Sequence, residues 1–206
     1  MLNYSDFDPV YYIRAIKEAY RERWVLNDPA HREDHFDNVY ATALKINDDL
    51  QLGYDEKRIA IFAYFHDLFA WSRINHHQLS CAFVLTTDDK LISDVVGPPD
   101  VPLLDRSIIA YGCLEHRATF KGKYSHHFSE LCSAADRGLP TDVQTLVDRA
   151  IKYRARDGEV TSSIVSDAIA HVKEKFGRHG YARYPKLYHD AFGDTIEKRY
   201  QDIDNL

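Results

Sequence analysis

The 206-residue chain has little of several things, and each scarcity excludes something. It has three cysteines, Cys81, Cys113 and Cys132, isolated and odd in number. That is neither a disulfide framework nor a CxxC metal motif. No run approaches the roughly 20 apolar residues of a membrane span. The start, MLNYSDFDPVYY, lacks a basic n-region, an apolar core and a small-residue cleavage site. A reduced, cytoplasmic protein with no membrane partner is the expectation. Basic residues are not in excess: 26 Lys and Arg stand against 32 Asp and Glu, for a net charge of −6, so electrostatics gives nucleic acid no footing. Strand-type alternation, internal repeats and low-complexity tracts are missing too.

What is present is helical periodicity. Residues 9–24 begin at Pro9 and put Val10, Ile13, Ile16, Ala19 and Tyr20 on one face. Asn27-Asp28-Pro29 breaks that helix and starts another over 30–48. Asp55 caps a third helix reaching about Phe69, and Asn75 a fourth over 76–87. The run 96–102, rich in Gly and Pro, is a loop. Helices follow at about 103–117, 128–137 and 142–156, the last capped by Thr141, then near 160–177 and 187–203. This predicts an all-α single domain over 1–206.

Eleven histidines are many for this length. The most telling stretch is AIFAYFHDLFAW, residues 60–71, where His66 and Asp67 stand among ten apolar or aromatic neighbours. A helix apolar nearly all round is central, and a carboxylate there is costly unless it is paired or holds a cation. The dipeptide alone is weak evidence, because a buried histidine with a locally paired aspartate reads the same way. Two more residues bear on it. His35 lies among Phe36, Val39 and Tyr40 on the second helix; taken alone it is an ordinary helix histidine. Asp136, in LCSAADRGLP, could be a partner of Arg137, but the dipole disfavours an acid at a helix C-terminus.

Together these residues spell His…His-Asp…Asp, which resembles the signature of the HD-domain superfamily of metal-dependent phosphohydrolases, an all-helical fold. The contexts fit as well: the apolar run into His66-Asp67, the segment SIIAYGCLEH ending in His116, and AADRGLP around Asp136. The resemblance covers about 28–140, with 141–206 expected as extra helices packed on that core. It implies His35, His66, Asp67 and Asp136 as ligands of a divalent cation. Two imidazoles and two carboxylates suit Mn, Fe, Co, Ni or Zn, with Mg also possible. It implies a phosphoester or phosphoanhydride substrate, most readily a (deoxy)nucleotide. Asp67 and His116 are the candidate catalytic groups, Asp67 toward water and His116 as an acid. Arg32, His76, His77, Lys121 and Lys123 are candidate phosphate contacts, and a homo-oligomer is conceivable.

Marks of the better-known HD enzymes are missing: no GYP signature, and no acidic residue in LFAWSR after the His-Asp pair. HHQLSCA puts His76-His77 where similar small HD proteins often carry Asn-Glu. Two alternatives follow. One is an HD-fold oxygenase with two irons, whose extra ligands would come from His76, His77, His116 and His126. The other is a catalytically silent nucleotide-binding module. Phe69, Trp71, Tyr40 and Tyr111 are aromatic candidates for stacking on a base, though such residues are more often core. The basic, Tyr-rich stretch 175–190 reads as a connection between helices.

Overall fold

The computed structural model describes residues 8–100, 104–155 and 158–206. Among these there are ten α-helices, one short 3-10 helix and no strand. Helix α1 (Pro9–Trp24) starts on Asp8, whose carboxylate accepts the Val10 and Tyr11 amides at 2.9 and 3.3 Å. Its buried stripe is Tyr12, Ile16, Tyr20 and Trp24 at a four-residue spacing. Val10 and Ala19 face outward instead, because the large aromatic rings set the packed face. Asp28 caps the 3-10 turn Pro29–His31, and α2 (Glu33–Asp49) follows.

Helix α3 (Glu56–Phe65) is the central one: Asp55 caps it, and every residue from Ile59 to Phe65 is buried. The expected extension to Phe69 does not form. His66 makes the last helical bond, to Phe62, and the chain then turns through Leu68 to Phe65, Ala70 to Asp67 and Ser72 to Phe69. Asn27 makes this possible. Its amide donates to the carbonyls of Asp67 and His31, both at 3.0 Å, and its oxygen accepts the Trp71 amide at 2.9 Å. A buried side chain thus satisfies backbone groups that leaving the helix would orphan.

Helix α4 (His76–Thr86) runs into α5 (Lys90–Val96), a helix absent from the sequence-based expectation. Asp89 caps α5, and the buried Arg106 guanidinium bonds the carbonyls of Val84, Thr87 and Gly97 around it. Helices α6 (Leu104–Glu115) and α7 (His127–Ala135) complete the core against α2, α3 and α4. Asn75 precedes α4 without a side-chain cap, and Asp142, not Thr141, caps α8 (Val143–Ala155) by accepting the Thr145 amide at 2.8 Å.

Helices α9 (Ser162–Phe176) and α10 (Lys186–Asp204) close the chain. Helix α10 is kinked at Phe192, whose φ of −133° is non-helical and which Gly193 follows. Its first half buries Leu187, Tyr188, Phe192 and Ile196 in the main core, and Ile203 joins a second, smaller core with Val143, Val147 and Val172. Residues 141–206 therefore pack on the rest through one bent helix. No helix among the described residues is long and apolar enough to cross a membrane.

Candidate metal centre

Side chains from α2, from α3 and the turn after it, from α4, from the end of α6 and from α7 converge around Asp67. His35 comes from the first turn of α2. His66 and Asp67 come from the end of α3 and the turn after it, and Asp136 from the C-cap of α7. Nε2 of His35 and of His66 lie 3.7 and 3.5 Å from Asp67 Oδ2, and each is 3.5 Å from Asp136 Oδ1. The two Nε2 atoms are 3.2 Å apart. On the other side of the carboxylate, Nε2 of His76 and of His116 each lie 3.4 Å from Asp67 Oδ1. His35, His66, Asp67 and Asp136 thus form one group able to hold a metal ion, and Asp67, His76 and His116 a second. Asp67 belongs to both.

The second nitrogens fix the tautomers. Nδ1 of His66 donates to the Ala63 carbonyl at 2.9 Å, Nδ1 of His116 to Cys113 at 2.7 Å, and Nδ1 of His76 to Arg73 at 3.2 Å. A carbonyl only accepts, so each Nδ1 carries the hydrogen, and in its neutral form each ring turns an Nε2 lone pair toward Asp67. These rings are oriented by backbone carbonyls in the manner of metal-ligating histidines. Lone pairs turned toward a buried carboxylate need a cation between them. Asp67 Oδ1 is buried with no hydrogen-bond partner, which is the mark of a missing positive charge. Ligand spacings of 3.2–3.7 Å are close to the edges of a shell whose bonds are about 2.1 Å. The residues fit a divalent cation.

The electrostatics agrees. Burial acts to raise the Asp67 carboxyl, yet His66, His116 and His35 hold it well below the usual range. Asp136 is likewise held low against its burial by His66 and Arg137. Burial pushes His76 down to about 4, keeping it an unprotonated donor. Burial acts to lower His116 as well, but the Asp67 carboxylate beside it raises it. Burial lifts the Cys113 and Cys132 thiols, so neither offers a thiolate.

The residues singled out in sequence divide clearly. The four-ligand set assembles in full, and the alternative reading of Asp136 holds at the same time. Arg137 Nη1 donates to Asp136 Oδ2 at 3.2 Å while Oδ1 faces the histidines. His77 is half-buried beside His76, its Nδ1 buried and unpaired, and belongs to neither group. His126 caps α7 through the Phe128 amide, and His127 meets the Tyr54 hydroxyl, so neither adds a ligand. Lys121 and Lys123 are exposed in the 118–126 loop. Arg32 bonds the Asn27 and Val25 carbonyls, holding the end of α1 rather than opening toward the site. Phe69 and Tyr40 pack inward, while Trp71 and Tyr111 are 54% and 45% exposed.

Two contributors were not foreseen. His31 Nδ1 is clasped by Asp28, itself paired with Arg73, and its Nε2 lies 3.8 Å from Asp67 Oδ2. The available signal was its spacing, four residues before His35. Arg137 also bonds the His116 carbonyl, at 2.7 Å, tying both ligand groups together. In the 175–190 stretch, Arg178 pairs with Glu197 and Tyr184 stacks on Tyr188, an internal connection as expected. A scan against protein-family models found no match, and searches of curated proteins and of solved structures found none either.

Proposed function

We propose that the chain is a metal-dependent phosphohydrolase of the HD-domain kind, cleaving a phosphoester or phosphoanhydride bond, with a (deoxy)nucleotide as the favoured substrate. One observation carries the reading: a buried carboxylate, Asp67, whose two oxygens face two separate sets of histidine lone pairs. His35, His66, Asp67 and Asp136 would hold one divalent cation, with an oxygen and nitrogen donor set suited to Mn, Fe, Co, Ni or Zn. Such a cation supplies Lewis-acid polarisation of a phosphoryl oxygen and lowers the pKa of water.

The chain's own groups do the rest. Asp67 anchors both donor sets. His116 and His76 have both nitrogens committed, so they serve as ligands rather than as a free acid and a phosphate contact. His31 is better placed for proton handling: its Nδ1 proton is held against Asp28 while Nε2 faces the open edge of the site. Trp71, exposed on the turn that follows Asp67, is the aromatic surface available to a base.

The test is hydrolysis of nucleoside mono-, di- and triphosphates with Mn²⁺, Co²⁺ or Ni²⁺, and again with chelator. Release of phosphate or pyrophosphate that stops with chelator is the expected result. No release from any phosphoester by metal-loaded protein overturns the reading.

A second reading is favoured by the His76–His116 side of Asp67. An HD-fold oxygenase with two irons would use the same two ligand groups. Two irons per chain with oxygen uptake, and no phosphate release, would establish it.

A further inference from the structure

His31 stands beside the metal centre but outside both ligand groups. It ends the 3-10 turn Pro29–His31, and three residues per turn put Asp28 and His31 on the same side. The Asp28 carboxylate caps that turn by accepting the Ala30 amide at 2.9 Å. It also accepts from Nδ1 of His31 with both oxygens, at 2.9 and 3.0 Å. Arg73, in the turn after Asp67, donates from Nη1 to the same carboxylate at 3.0 Å. The backbone of His31 is fixed too. Its amide bonds the Asp28 carbonyl, and its own carbonyl accepts from Asn27, both at 3.0 Å.

A carboxylate only accepts, so Nδ1 carries the hydrogen and, in its neutral form, the ring presents a lone pair at Nε2. Nε2 lies 3.8 Å from Asp67 Oδ2. That is too long for a direct hydrogen bond, and a water touching both atoms spans it. Both atoms are acceptors, so the group between them has to donate, and a water has an O–H for each. The position is also the one that solvent reaches. The His31 side chain is 25% exposed, against 17% for His35, 4% for Asp67 and 0% for His66.

We propose that Asp28 is a positioning residue for hydrolysis: by fixing the Nδ1–H tautomer of His31, it keeps Nε2 an acceptor for the attacking water beside Asp67. The proposal rests on the phosphohydrolase reading. The water oxygen bonds phosphorus as the bond from phosphorus to the leaving oxygen breaks. One water proton passes to Nε2 and from there to solvent, and the leaving oxygen takes a proton from solvent. Arg73 holds the Asp28 carboxylate in place for this role.

The experiment compares wild type with Asp28→Asn, His31→Gln and the variant carrying both changes. Asn keeps the cap on the Ala30 amide, but its own amide donates to Nδ1, which moves the ring hydrogen to Nε2. The first readout is the long-range proton–nitrogen correlation of ¹⁵N-histidine-labelled, zinc-loaded protein, the His31 signals being those lost in His31→Gln. The second is kcat and KM on a panel of nucleoside phosphates, with metal content measured on each sample. The expected tautomer is Nδ1–H in wild type and Nε2–H in Asp28→Asn. In both single variants kcat should fall about 100-fold or more, with KM and metal content unchanged. The double variant should be no slower than His31→Gln, because Asp28 acts through that ring. An Nε2–H tautomer in wild type overturns the proposal with Asp28 untouched. Wild-type kcat in Asp28→Asn, or a double variant slowed by the product of the two single losses, overturns it and leaves the hydrolase standing. A metal-loaded wild type that hydrolyses no phosphoester removes both.

Discussion

Arg137 ties the two ligand groups together without belonging to either. It donates to Asp136 Oδ2, to the His116 carbonyl at 2.7 Å and to Ser133 Oγ at 3.2 Å. Arg137→Gln should therefore lower metal affinity by about 10–100-fold, the usual effect of losing a group that orients ligands. Competition with a chromogenic chelator measures it, and unchanged affinity would show that Asp136 is held by the histidines alone. pH acts on the same atoms. A bound cation needs every Nε2 lone pair, and the raised pKa of His116 makes it the ring at which protons compete first. Burial keeps His76 near 4 and so unprotonated longest. Protons take the lone pairs as pH falls, so metal affinity should decline on going from pH 8 to pH 5. Elemental analysis after dialysis at the two values checks the sign, and better retention at pH 5 would contradict it. Single residues were unevenly legible. His35, His66, Asp67 and Asp136 could be read because their residue types and order match a known signature. His31 and Arg137 were obscured because each also has an ordinary explanation, as a turn residue beside Asp28 and as an ion-pair partner of Asp136.

The decisive element is not a helix but the turn that begins where α3 stops. Nothing in AYFHDLFAW breaks a helix, and the periodicity continues through Phe69. The break depends on Asn27, 40 residues earlier in the chain and buried, whose amide satisfies the Asp67 carbonyl. Long-range satisfaction of backbone groups leaves no local trace, which is why the reading from sequence extended α3 too far. Helix α5 was missed for a related reason: it is seven residues long and shaped by carbonyl bonds to the distant Arg106. Helices with a cap and a long apolar face, such as α1 and α9, were legible to within a few residues. Asn27→Ala removes three hydrogen bonds of a buried side chain, one of them fully buried, at a cost of about 2–4 kcal/mol. Urea unfolding measures that loss. The variant should also bind metal more weakly, since the Asp67 backbone loses its anchor; full stability would mean that the turn is held by packing alone.

At the scale of the whole molecule, the all-helical architecture followed from periodicity and from the lack of alternation. How residues 141–206 join the rest did not, because that depends on the bend at Phe192. Leu187, Tyr188, Phe192 and Ile196 fill the main core from α10, and the Tyr188 hydroxyl donates to the Gly138 carbonyl at 2.8 Å, two residues from Asp136. Burying four large apolar side chains is worth about 6–12 kcal/mol. That is comparable with the whole stability of a typical domain, about 5–15 kcal/mol. A chain ending at residue 140 should therefore fail to fold. Its circular dichroism and elution volume should be those of an unfolded or aggregated species, and a folded monomer would show the C-terminal helices to be an independent addition. The account's central claim is that a metal ion sits on Asp67 between the histidines of α2, α3, α4 and α6. The measurement that tests it most directly is divalent metal content per chain in wild type and in Asp67→Asn, both incubated with Mn²⁺, Fe²⁺, Co²⁺, Ni²⁺ and Zn²⁺ in turn and then desalted. The account predicts at least one tightly held ion in the wild type and almost none in the variant. A wild type that retains none of these ions, or an Asp67→Asn variant that retains as much, would contradict it.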